Sequence, residues 1–164
     1  MREMRRSGQK LSLEVCEDIL REGTSGVLSL YGDDGYPYGV PLSYLYTDGR
    51  LIFHSAKEGH KLDAIRNNNK VSFTVIAKDT IMPEEFTTYF RSVIVSGRAR
   101  ILEQDEEKRA AIEVLAEKYM PDLKEGRQQE IEKEFSHLCM IAVDIDAISG
   151  KEAVELMRER NRQK

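Results

Sequence analysis

The sequence has few cysteines, few prolines and no long run of apolar residues. Its 164 residues include 2 cysteines and 4 prolines. Cys16 and Cys139 lie far apart in unrelated patterns, which favours two small buried hydrophobic residues over a disulfide or a metal pair. Charged residues interrupt every apolar stretch before it reaches the roughly 18–20 residues that a membrane helix needs. No apolar signal-peptide core follows the charged start, so we expect a cytoplasmic protein without a membrane segment.

The composition is that of a folded domain, with 40% hydrophobic and 33% charged residues. This excludes a disordered or collagen-like chain, and the length suits a single domain over residues 1–164. Basic residues gather near both ends, but they are interleaved with glutamates and lack aromatic partners for bases. Nucleic acid is therefore not an expected partner. The 3 histidines and 2 cysteines are too dispersed for a zinc constellation, so no metal site is predicted.

Apolar alternation and turn residues predict about six antiparallel strands with helices between and after them. The turns at residues 32–35 and 47–49 are too short for parallel crossovers, which need about a dozen residues. Residues 78–85 read as a loop, and 105–138 as two helices that pack outside the sheet. A capping-box pattern predicts that a C-terminal helix opens at 149–152. The predicted strands cover 27–31, 38–46, 50–54, 71–76, 86–102 and 140–145. We expect an α+β fold whose antiparallel sheet closes as a barrel with peripheral helices.

Residues 54–61, His-Ser-Ala-Lys-Glu-Gly-His-Lys, are the densest chemical signal. They leave a predicted strand and enter a predicted helix, whose first backbone amides favour an anion such as phosphate. Ser55 can donate a hydroxyl, Gly59 allows close approach to the backbone, and Lys61 supplies a positive charge. The alternative is a polar loop with ordinary capping residues.

Two further segments could line a ligand. Pro37 and Pro41 interrupt the second predicted strand, which must be locally unpaired or at a sheet edge. The exposed backbone could bond a flat heterocycle, or the strand could simply be an edge blunted by proline. In the strand after residue 86, Tyr89 and Arg91 share one face, which could be a ligand wall, a dimer surface or both. The sequence contains no nucleophile elbow, P-loop or dinucleotide fingerprint, so any catalysis would rely on a bound cofactor.

Taken in order, the motifs at residues 4–6, 32–38, 53–56, 59–61, 86–93 and 150–153 resemble the pyridoxamine-5′-phosphate-oxidase-like flavin-binding proteins. The resemblance is greatest to their nitroimidazole-resistance branch and covers nearly the whole chain. It implies a split β-barrel of the FMN-binding type. It also implies a homodimer with two FMN sites at the subunit interface.

The resemblance also implies roles for individual residues. His54 would be the active-site residue, close to the cofactor. The turn at residues 54–61 would hold the FMN phosphate, and the strand interrupted by proline would line the isoalloxazine ring. The segment at residues 89–92 would complete the pocket, from either subunit. In that order the implied cofactor-binding residues are His54, Ser55, Ala56, Gly59, His60, Lys61, Val40, Pro41, Leu42, Tyr89, Arg91 and Ser92.

The expected function is therefore that of an FMN-dependent oxidoreductase. Electrons from a nicotinamide or another donor would pass through the flavin to a small substrate, for example a nitro-aromatic compound. Two alternatives remain open at this point. The first is a flavin carrier or sensor without turnover. The second is a haem or deazaflavin binder on the same fold.

Overall fold

The structure is a computed structural model that describes residues 3–162, in which a seven-stranded sheet is accompanied by five α-helices. The helices are α1 (Leu13–Glu22), α2 (His60–Asn67), α3 (Asp105–Tyr119), α4 (Lys124–Glu134) and α5 (Val154–Arg162). The strands are β1 (Ser25–Tyr31), β2 (Pro37–Ser43), β3 (Leu45–Thr47), β4 (Arg50–Ala56), β5 (Lys70–Met82), β6 (Thr87–Ile101) and β7 (Leu138–Glu152). None of the helices in this described range is long and apolar enough to cross a membrane.

The sheet is antiparallel throughout, with the strand order β2-β1-β5-β6-β7-β4-β3. The α+β class and the antiparallel order are confirmed, but the predicted closure of the barrel is wrong. The sheet has two edges, β2 and β3, and the predicted strand 38–46 is divided between them at Tyr44. The backbone amide of Tyr44 donates to the hydroxyl of Tyr119 at 2.9 Å instead of to a neighbouring strand. The barrel is therefore split at this residue.

The two faces of the sheet bury separate apolar clusters. The main core lies within the curved sheet, where Phe53, Phe73 and Val93 are fully buried. The second cluster forms where α3 and α4 pack on the opposite face, against Ile52 and Met140 among others. The helical segment between β6 and β7 thus packs outside the barrel, as predicted. Because side chains alternate along a strand, β4 contributes to both clusters.

Two strands are longer than predicted. Strand β5 continues to Met82 and pairs with β6 over residues 78–91, so most of the predicted loop 78–85 belongs to a projecting hairpin, the β5–β6 arm. Strand β7 continues to Glu152, so the predicted capping box at 149–152 is wrong and α5 begins at Val154. Residues 149–152 pair with β6, and this pairing outweighs their local capping pattern.

Several local predictions hold. The hydroxyl of Ser12 accepts a hydrogen bond from the amide of Val15 at 3.3 Å, which caps α1, and Gly23 ends that helix. Cys16 and Cys139 are both buried and free. Burial raises the pKa of both thiols, so they behave as small hydrophobic residues.

Candidate functional site

Two free strand edges flank the split in the sheet. Strand β3 pairs with β4 only as far as Ile52, so the remaining β4 residues, 53–56, have β7 on one side and no strand of the described chain on the other. Across the split, β2 pairs with β1 alone. A molecule that lies in this gap could bond the backbone of both strands.

The prolines determine which backbone groups of β2 face the gap. Pro41 lies opposite Val27 in the antiparallel ladder and has no N–H to donate, so this pair is not hydrogen-bonded. Because hydrogen-bonded and non-hydrogen-bonded pairs alternate, Val40 and Leu42 use their backbone groups on β1. The groups that point towards the gap are therefore those of Gly39, Pro41 and Ser43.

The side chains of β2 follow the same alternation. Val40 and Leu42 pack against the main core, whereas Gly39 and Pro41 are exposed. Of the two alternatives that the prolines left, a locally unpaired strand or an edge strand, the structure shows the edge strand. The sequence analysis did not identify Gly39 and Ser43 as residues whose backbone groups face the gap. The spacing of Pro37 and Pro41, four residues apart, nevertheless indicates it, because every second residue of the strand faces the same way.

At the end of β4, the chain turns into α2 through a corner suited to an anion. Ser55 is 6% exposed, and its hydroxyl oxygen has no hydrogen-bond partner among the described residues. Gly59 has a φ of 131°, and a Cβ added there would meet nothing within 4 Å. The Gly59 carbonyl accepts from the amides of Leu62 and Asp63, which leaves the first two amides of the helix unsatisfied.

Those two amides belong to His60 and Lys61. A helix start, a buried orphan hydroxyl and an open glycine together provide the donors that a phosphate group requires. The corner carries charges of both signs, with Lys57 and Lys61 beside Glu58 and Asp63. Burial raises the pKa of the nearby Cys139 thiol, whereas the positive charges of Lys108, Arg66, Lys61 and Lys57 act to lower it. These groups could bind a phosphate, and the phosphate site at residues 54–61 stays a prediction.

The His60 side chain contacts the β1–β2 hairpin. Its imidazole ring stacks on Tyr38 at a centroid distance of 4.2 Å and an interplanar angle of 20°. Its Nε2 lies 3.1 Å from a carboxylate oxygen of Asp33, although without the angle of a hydrogen bond. The imidazole is therefore held against the hairpin, and its backbone amide is the group that remains available at the corner.

His54 and Ser55 point to opposite faces of β4. Ser55 lies on the same face of the strand as Phe53, towards the main core. His54 lies on the same face as Ile52 and is exposed. Ser43 and residues 54–56 line a cleft of about 730 Å³ between β4 and the helical hairpin of α3 and α4, and we call it the hairpin cleft. Its lining from the helices was not predicted, because the helical pattern shows which side chains are apolar but not where two helices leave a gap.

A second concavity, of about 670 Å³, lies beside the β1–β2 turn and contains none of the predicted site residues.

The third predicted segment, residues 89–92, makes its contacts away from the corner at residues 54–61. The Arg91 guanidinium donates to the carboxylate of Glu152 at 2.9 Å, and Glu152 is fully buried. The hydroxyl of Tyr89 donates to Glu85 at 2.9 Å on the β5–β6 arm. Ser92 faces the outer side of the sheet, opposite Ile76 in the ladder. Within the described part of one chain, none of the three makes a hydrogen bond or ion pair to the corner at 54–61.

The fold is an open antiparallel barrel that is split at Tyr44. The sequence profile of the pyridoxamine 5′-phosphate oxidase family matches residues 12–152, and the chain belongs to that family. No curated protein matches the sequence.

Solved structures share the fold. A candidate 5-nitroimidazole antibiotic resistance protein from Bacteroides thetaiotaomicron has a TM-score of 0.71 and 22% identity, over 87% of this chain and 86% of that one. An FAD-binding protein from Mesorhizobium loti has a TM-score of 0.63 and 26% identity, over 88% and 96%. An FAD- and haem-binding protein from Mycobacterium smegmatis has a TM-score of 0.73 and 22% identity, over 89% and 74%.

Proposed function

We propose that this protein binds FMN at the split of the barrel and reduces a small acceptor of the nitro-aromatic class, with electrons from a nicotinamide or similar donor. The family membership and the similarity to an FAD-binding protein of 26% identity support a flavin. The similarity to a candidate nitroimidazole-resistance protein supports the class of acceptor.

The observation that carries the proposal is the orphan hydroxyl of Ser55 beside the start of α2. A buried hydroxyl without a partner costs about 1–3 kcal/mol, and a ligand that accepts its hydrogen bond would remove that cost. The amides of His60 and Lys61 and the Lys61 ammonium group supply further donors. Together these groups would hold the dianionic phosphate of FMN.

The free edges of β2 and β4 would hold the ring. The backbone groups of Gly39, Pro41 and Ser43 offer two N–H donors and three carbonyl acceptors towards the gap. Ala56 and its neighbours on β4 offer a second edge. When bound, a flavin supplies hydride and single-electron transfer, and the protein's contribution is to bind, orient and shield it.

His54 is the proposed catalytic residue. It is exposed on the strand whose edge faces the gap, and it lines the hairpin cleft. A neutral imidazole there can donate a hydrogen bond to, or accept one from, a substrate beside the flavin, and it can transfer a proton at its ring nitrogen.

We further propose a homodimer in which the partner completes each site. Tyr89, Arg91 and Ser92 do not bond to the corner of their own chain, so they would contribute to the partner's pocket. The outer sheet face, which includes Ser92, also carries the exposed apolar side chains of Val27, Ile76 and Ile94.

The test is to purify the protein and record its visible spectrum, followed by mass spectrometry of the small molecule that denaturation releases. We expect a yellow protein that releases FMN. A colourless protein that also fails to take up added FMN would overturn the proposal. If FAD, deazaflavin or haem is released, that molecule takes the place of FMN in the proposal. A yellow protein that turns over no nitro-compound with a nicotinamide would be a carrier or sensor.

A further inference from the structure

We infer that the β5–β6 arm of each subunit seats in the concavity beside the β1–β2 turn of a second copy of the chain. This concavity of about 670 Å³ is called the turn concavity below. The inference rests on the homodimer of the proposed function, and its test does not require a bound flavin.

The exposed apolar side chains of the described residues are concentrated on one continuous surface. Eleven large hydrophobic residues are exposed, and seven of them lie on the outer sheet face or at its two ends. At one end the arm carries Ile81 and Phe86, and at the other Tyr31 and Tyr36 line the turn concavity. Between the two ends lie Val27, Ile76 and Ile94. Exposed apolar residues gathered on one surface indicate a contact with another protein.

Phe86 indicates that the arm itself takes part in this contact. Its side chain is 96% exposed, and its φ and ψ of 52° and 39° lie in the left-handed region. Bulky residues rarely adopt this conformation, because the side chain crowds the backbone. Within one chain the exposed ring gains no packing in return, whereas the apolar surface of a second copy would supply it.

The middle of the outer face is too small to hold a dimer alone. A stable interface buries about 800 Å² from each partner, and three partly exposed aliphatic side chains supply only part of that area. The contact must therefore extend along the strands. Towards the turn concavity the face continues through Ser29, Ser72 and Ser96, which lie opposite one another on β1, β5 and β6 and line the concavity.

Two-fold symmetry allows two arrangements of such a face. If the axis runs across the strands, the two sheets are reversed end to end, and each arm lies over the other subunit's turn concavity. If the axis runs along the strands, the two arms lie on each other. The first arrangement sets a projection against a concavity at both ends of the interface. Because protein interfaces are complementary in shape, we choose the first.

A seated arm would also contact the element that supports the phosphate corner. The β1–β2 hairpin holds the His60 ring through Tyr38 and Asp33. Tyr36 and Pro37 of the same hairpin line the turn concavity. Contact between the subunits and FMN binding at the corner are therefore expected to be coupled.

Cross-linking of introduced cysteines tests the arrangement. Strand β5 has 13 residues, so at about 3.3 Å per residue its two ends lie roughly 40 Å apart. A short bis-maleimide cannot span that distance within one chain. We expect the double variant Phe86→Cys, Tyr36→Cys to give a covalent dimer on a denaturing gel, and each single variant to give none. The parent protein is the control for Cys16 and Cys139, which are buried.

The outcomes separate this inference from the flavin proposal. A covalent dimer from Phe86→Cys alone would place the arms on each other and overturn the inference. No covalent dimer from the double variant would also overturn it, and a yellow protein would then leave the flavin proposal standing. A covalent dimer of the double variant alone, in a protein that neither contains nor takes up FMN, would support the inference and count against the flavin.

A substitution at the arm tip measures how much the contact contributes. Phe86→Asn removes the ring at a position whose backbone asparagine adopts more readily. We expect the dissociation constant of the dimer, measured by light scattering over a range of concentrations, to rise about tenfold or more. Leu123→Asn is the matched control, since Leu123 is exposed in the connection between α3 and α4. Equal dissociation constants for the two variants would overturn the inference.

Discussion

Lys61 places a positive charge at the corner between β4 and α2, where the first helical amides and the Ser55 hydroxyl lack partners. We expect Lys61→Ala to weaken FMN binding by about 1–3 kcal/mol, because hydrogen bonds to charged groups lie in this range. The measurement is a titration of the flavin-free protein with FMN, followed by quenching of flavin fluorescence.

Lys57→Ala is the matched control, since Lys57 lies in the same turn and precedes the helix. It removes the same charge but no donor at the helix start, so its effect is expected to be smaller. Equal losses in the two variants would mean that Lys61 acts only through the general positive field and not as a phosphate ligand.

His54→Ala tests the proposed catalytic residue. Because the His54 side chain faces the hairpin cleft and Ser55 faces the main core, removing the imidazole is expected to leave FMN affinity unchanged. Turnover of a nitro-compound is expected to fall by about 10²–10⁴-fold, the usual contribution of a positioned proton donor or acceptor. Steady-state kinetics on the FMN-loaded variant provide the measurement, and undiminished turnover would remove His54 from the mechanism.

At the residue scale, the sequence was most informative where a local rule applies. Strand alternation is sufficient to place His54 and Ser55 on opposite faces, and the prolines are sufficient to place β2 at an edge. The ion pair between Arg91 and the buried Glu152 could not be predicted in this way. Its two residues are 61 positions apart, and only the β6–β7 pairing brings them together.

At the scale of elements, the end of α3 holds the split open. The Tyr119 hydroxyl accepts from the Tyr44 amide, and its single proton is shared between the carbonyls of Thr24 and Tyr44, at 2.5 and 2.9 Å. Lys118 adds a hydrogen bond from its ammonium group to the Gly23 carbonyl. These side chains satisfy backbone groups that a closed barrel would pair with another strand.

We therefore expect Tyr119→Phe to lower the free energy of unfolding by about 1–3 kcal/mol, since it leaves the partly buried Tyr44 amide without a partner. Urea denaturation followed by circular dichroism measures this. Tyr31→Phe is the control, because Tyr31 is 63% exposed. If both variants unfold at the same urea concentration as the parent protein, the Tyr119 hydroxyl is not what holds the split.

The extents of the elements show where sequence reasoning fails. Strand β1, which alternates between the core and solvent, carries a clear pattern and was predicted close to its observed position. The β5–β6 arm has no core beneath it, and residues 76–81 are all exposed. Its strands are held by pairing with each other, which leaves no hydrophobic period in the sequence.

At the scale of the whole molecule, the outer face of the sheet is uncovered over β1, β5 and β6, away from the part that α3 and α4 cover. Val27, Ile76 and Ile94 lie on the outer side of β1, β5 and β6, and their exposed fractions are 38%, 68% and 44%. They alternate with the buried Phe73, Val75 and Val93, which point into the main core. Such a flat apolar face is typical of a surface that a second subunit covers.

Ile76→Asp is expected to shift the protein from dimer to monomer, with the dissociation constant raised about tenfold or more, because a carboxylate buried at the interface would lack a partner. Light scattering coupled to size-exclusion chromatography, over a range of concentrations, measures the mass. Leu123→Asp is the control, since Leu123 is an apolar residue of similar exposure, 62%, in the connection between α3 and α4. If the partner completes each cofactor site, Ile76→Asp should also release FMN on dilution while Leu123→Asp retains it. A dimer that survives Ile76→Asp would place the subunit contact on another surface and leave the positions of Tyr89 and Arg91 to be explained within one chain.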